Sequence, residues 1–84
     1  MADISFTQFV ISLATSAAIH FGDAAEPGGE TLKEPNLEGA RQMIEILALL
    51  EEKTKGNLTA EERQVLDQVL YELRLRFVQV SGKA

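Results

Sequence analysis

His20 is the chain's only histidine and stands three residues before Asp23. An imidazole beside a carboxylate could act as a general base or a metal ligand. The chain has no second histidine and no cysteine to complete a soft metal site. The plainer reading is a histidine capping free carbonyls at a helix end. The acid pairs Glu51-Glu52 and Glu61-Glu62 could suggest carboxylate metal binding. Adjacent residues on a helix point about 100° apart, so neither pair can clamp one ion, and the Glu-x-x-His spacing of di-iron bundles is absent. Gly28-Gly29 lacks a preceding strand and a Walker lysine, so it is no phosphate loop. Asn57-Leu58-Thr59 fits a glycosylation sequon but reads better as a turn between helices. No nucleophile–base set can be assembled from these residues. Catalysis by this chain is not expected, and neither is a cofactor or a metal.

The elements that would carry these residues are helices. From Leu37 to Lys55 the residues Leu37, Ala40, Met43, Ile44, Leu47 and Leu50 recur at three and four, the period of one helix face. Asn36 suits the N-cap, Pro35 bars an earlier start, and Gly56 can stop the helix in the left-handed conformation. Thr59 and Glu62 then form a T-x-x-E capping box. A stripe of Val65, Leu66, Val69, Leu70, Leu73, Phe77 and Val80 follows it. So short a link predicts an antiparallel hairpin of two helices, about 37–55 and 60–80.

A first helix is expected over about 6–21. Ser5 and Gln8 make a second capping box, and Phe6, Phe9, Val10, Leu13, Ala14, Ala17 and Phe21 form the buried stripe up to Gly22. Its small residues Ser12, Ala14, Ser16, Ala17 and Ala18 would let a neighbouring helix approach closely. Residues 23–35 hold two prolines, two glycines and four acids, which predicts a flexible, solvated, acidic linker. On that reading Gly28→Ala should be almost neutral and Gly56→Val costly. Residues 1–4 and the tail from Ser81 to Ala84 are expected to be loose. The whole is a single all-α domain of three helices.

The net charge is −5, and −3 of it falls within residues 23–35. In the helices the signs follow the dipoles, with Glu38, Glu61 and Glu62 early and Lys53, Lys55, Arg74 and Arg76 late. Glu51 with Lys55, and Glu72 with Arg76, have the four-residue spacing of helix ion pairs. Glu51 lies within the apolar arc of its helix, and Lys55 is expected to draw it outward. No basic face for nucleic acid emerges. The apolar run from Phe9 to Phe21 is too short to span a bilayer, and no Lys or Arg precedes it as in a signal peptide. The default compartment is the cytoplasm.

Apolar surface is in excess. The second helix is apolar over roughly 200° of its circumference, with Leu49 outside even that arc. The third carries a second stripe, Tyr71, Leu75 and Val78, opposite Leu66 and Leu73. Ile11 and Ile19 lie off the main face of the first. An 84-residue bundle cannot bury all of this. Leu49, Tyr71, Leu75 and Val78 are therefore the expected interface residues, with a second copy of the chain as the simplest partner. Coverage of the stripe by the first helix within one chain is the competing reading.

Several segments resemble a known family: Phe6-Thr7-Gln8-Phe9-Val10-Ile11-Ser12-Leu13, Ala17-Ala18-Ile19-His20-Phe21-Gly22, the hinge from Glu51 to Thr59, and Tyr71-Glu72-Leu73-Arg74 through Arg76-Phe77-Val78. Together with Asn36-Leu37 and Ala40-Arg41-Gln42 they are similar to the small bacterial family catalogued as domain of unknown function eighteen forty-four. The resemblance implies a bacterial source and a short stand-alone protein, and it implies no activity. The function expected from the residues is a non-catalytic self-association module, forming a dimer or higher homo-oligomer. The alternative is a small subunit or regulator that offers the same helix face to a different protein. An enzyme or metal protein joining His20 to carboxylates from several chains is a third class.

Overall fold

Two capping boxes set where the first and third helices begin. In the computed structural model, which describes residues 4–26 and 28–82, the Gln8 N–H donates to Ser5 Oγ at 3.0 Å and the Ser5 N–H donates to Gln8 Oε1 at 3.2 Å. This opens α1, Phe6–Phe21. Gly22, with φ +85°, ends it. The Gly22 N–H donates to the Ile19 carbonyl and the Asp23 N–H to the Ala18 carbonyl, the paired bonds of a Schellman stop.

The second helix, α2, spans Leu37–Lys53, with Asn36 Oδ1 accepting from the Gly39 N–H. It ends two residues before the expected Lys55. Thr54 turns both its N–H and its hydroxyl onto the Leu50 carbonyl, at 2.9 and 2.6 Å. The next N–H, of Lys55, then reaches only three residues back, to Glu52. Gly56 takes φ +85° in the turn that follows. The third helix, α3, covers Ala60–Ser81 and starts at the reciprocal Thr59–Glu62 box, with bonds of 3.1 and 2.9 Å. It continues past Val80 through Ser81 to the left-handed Gly82. Ser81 is therefore helical and not part of a loose tail. The expectations for residues 1–3, Lys83 and Ala84 lie outside the described residues, as does Pro27.

No strand occurs among the described residues, and each helix packs against the other two. The buried core draws on all three: Val10, Ala17 and Phe21 from α1, Ala40 and Leu47 from α2, and Leu66, Leu70 and Leu73 from α3. Phe21 meets Phe77 edge to face at 6.5 Å. Phe9 is not part of this core and remains 42% exposed. The buried arc of α1 centres on Val10, and Phe9 sits about 100° round the helix from it.

The molecule is a flat slab of 38 × 36 × 16 Å with a radius of gyration of 13.5 Å. A compact domain of this length would have a radius of gyration of about 12 Å. Its accessible surface is 6035 Å², whereas a folded monomer of this mass exposes about 4,900 Å². Roughly 1,100 Å² of surface is therefore surplus to a typical monomer.

Candidate functional site: an open groove along the third helix

Within the chain α1 packs on both other helices, yet it leaves the second stripe of α3 uncovered. Tyr71 is 65% exposed, Leu75 47% and Val78 46%. The helical spacing i, i+4, i+7 puts them on one side, facing away from Leu66 and Leu73. They line one shallow, mostly apolar groove whose floor includes the buried Leu70. Leu49 is also exposed, at 52%, but it does not line this groove. The structure thus brings Tyr71, Leu75 and Val78 together and leaves Leu49 apart on α2.

Three charged residues rim the groove: Glu51 from α2, and Asp67 and Arg74 from α3. Glu51 and Asp67 also border a smaller pocket beneath the hinge, together with Lys55 and Arg63, so both groove acids lie towards the hinge end. None of the three has an ion-pair partner among the described residues. Lys55 does not engage Glu51. The rim was legible in the spacing of Asp67, Tyr71, Arg74 and Val78, which alternates four and three residues as helix-pairing seams do. Reading only the apolar members of that face hides it.

The other candidate residues make no site. His20 Nδ1 lies 3.3 Å from the side-chain nitrogen of Asn36, and the His20 carbonyl accepts from the Asn36 N–H at 2.6 Å. The ring therefore packs on the start of α2 and does not cap the carbonyls ending α1. Asp23 turns to Arg76, which grips it with two hydrogen bonds of 2.8 and 2.6 Å. Those bonds hold the Asp23 carboxyl below its ordinary pKa. Partial burial opposes the shift, and the nearby positive charge adds to it. Arg76 accordingly does not pair with Glu72, which accepts from Gln68 instead. Arg41 bridges Glu38 and Glu45 on the surface of α2.

Glu61 and Glu62 stand in the first turn of α3, where Glu62 serves the cap. Among the described residues no three His, Asp or Glu side chains gather as a metal site would require. No described helix is long and apolar enough to cross a membrane.

A family model described as a domain of unknown function (DUF1844) matches residues 3–79. No curated protein and no solved structure matches the chain.

Proposed function

We propose, for a chain that belongs to the DUF1844 family, that it is a non-catalytic helical module whose role is to associate with itself. The observation that carries this reading is the uncovered stripe of Tyr71, Leu75 and Val78 on a flat molecule with surplus surface. Contiguous exposed apolar surface in a helical protein marks a contact site. In this reading α2 and α3 form an antiparallel hairpin, supported by their short connection and mutual packing. Leu49 marks the edge of the contact region or a second contact on α2. The acidic balance of −5 favours a protein partner over nucleic acid or an anionic membrane.

Light scattering at high micromolar concentration tests it. The wild-type chain should run as a dimer or larger, and Leu75→Glu should run as a folded monomer. A wild-type monomer at that concentration overturns the proposal. If a stable second polypeptide also copurifies from the native cell, the groove belongs to a heterologous partner.

A further inference from the structure

The charges on the groove rim specify how a second copy would dock. Asp67 and Arg74 are seven residues apart on α3, about 10.5 Å along the helix axis, with Tyr71 between them. Both line the groove, and neither has an ion-pair partner within the chain among the described residues. Arg41 and Arg76, in contrast, are committed to intrachain carboxylates. A face with an acid at one end and a base at the other is complementary to itself only when inverted. Resting on the self-association reading, we propose that two copies pair α3 against α3 in antiparallel fashion. The two-fold axis passes beside Tyr71, so that Asp67 of each copy meets Arg74 of the other.

A parallel pairing would set Asp67 against Asp67 and Arg74 against Arg74, two like-charge contacts that oppose binding. The antiparallel register turns both into attractions. Glu51, which lines the groove with Asp67, adds a second carboxylate at the end where each guanidinium would arrive. The Tyr71 rings then lie next to the axis, where a large, half-polar side chain contributes most to an isologous contact. In this register Leu75 falls level with the span between Gln64 and Gln68 of the other copy, whose side chains have apolar stems, and Val78 falls level with the aliphatic stem of Arg63.

Charge reversal tests the register. Asp67→Arg gives a face with two bases and Arg74→Asp a face with two acids, so each variant alone should lose homodimer affinity by on the order of tenfold or more. Mixed in equal amounts, the two should recover a heterodimer, seen by light scattering or by native mass spectrometry. The double variant Asp67→Arg/Arg74→Asp should dimerise like the wild type. If the wild type dimerises but the single reversals do so equally well, or the mixture forms no heterodimer, this register is wrong and self-association stands. A wild-type monomer in the same measurement removes both.

Discussion

Gly39 lies directly beneath the His20 imidazole: a Cβ placed on it would stand 2.6 Å from Nδ1 and 2.9 Å from the Asn36 side-chain nitrogen. The junction of α1 and α2 is therefore closed by a position where the smallest residue is needed for space. Gly39→Ala gains up to about 1 kcal/mol of helix propensity but must displace the ring, at a cost of about 1–3 kcal/mol. A net loss of stability is expected in chemical denaturation. In a His20→Ala background the same substitution should cost less, because the ring is gone. Additive effects of the two changes would show that they do not meet.

The turn glycines give a second expectation. Gly56 and Gly28 both hold positive φ, +85° and +77°, and a Cβ would meet nothing within 4 Å at either. The cost of a side chain is thus purely backbone strain, about 1 kcal/mol. Gly28→Ala should lower the melting temperature about as much as Gly56→Ala, and not leave it unchanged as the linker's composition suggests. Thr59→Ala should cost about 0.5–2 kcal/mol through the lost capping box. Thermal melts of the three variants compare them directly.

Asp23 and Arg76 supply a pH dependence. The Arg76 hydrogen bonds lower the folded-state pKa of Asp23 below its ordinary value of 3.8. The pair therefore stabilises the fold above that ordinary value and ceases to do so as pH falls through the depressed one. Asp23→Asn should lower the melting temperature at neutral pH, and the difference should close in acid below pH ~4. Both groups are partly exposed, so high salt should narrow the gap as well.

Leu70 and Leu75 separate stability from association. Leu70 is 1% exposed and Leu75 47%. Leu70→Ala should remove about 2–5 kcal/mol, much of what a small domain holds. Leu75→Ala should change the stability of the dilute monomer by no more than about 0.5 kcal/mol. Denaturation at low protein concentration distinguishes them.

The features legible in the sequence are those made by neighbours in the chain. Ser5 with Gln8, Thr59 with Glu62, and Gly22 each act over three or four residues, and all three appear where their spacing predicts. The early end of α2 at Thr54 was hidden because a threonine hydroxyl competing for a carbonyl leaves no periodic trace. The fit of Gly39 under His20 and the grip of Arg76 on Asp23 depend on residues brought together from distant parts of the chain. Arg76 also had a plausible local partner in Glu72. For the groove, the apolar members announced themselves by spacing and Asp67 and Arg74 share that spacing, while Glu51 joined the rim only once α2 lay beside α3.

The segment between α1 and α2 leaves the last turn of α1 and comes back to it. Asp23 follows Gly22 directly, and the Asn36 N–H returns to the His20 carbonyl. Such a loop closes on its own base, in the manner of an Ω-loop, and its mouth is held independently of its length. Doubling the intervening chain would add only about 0.6 kcal/mol of closure entropy. The turn at Gly28-Gly29, where the Gly29 N–H meets the Glu26 carbonyl, is exposed. It is therefore the natural place to graft an epitope or a fluorophore without disturbing either the core or the groove.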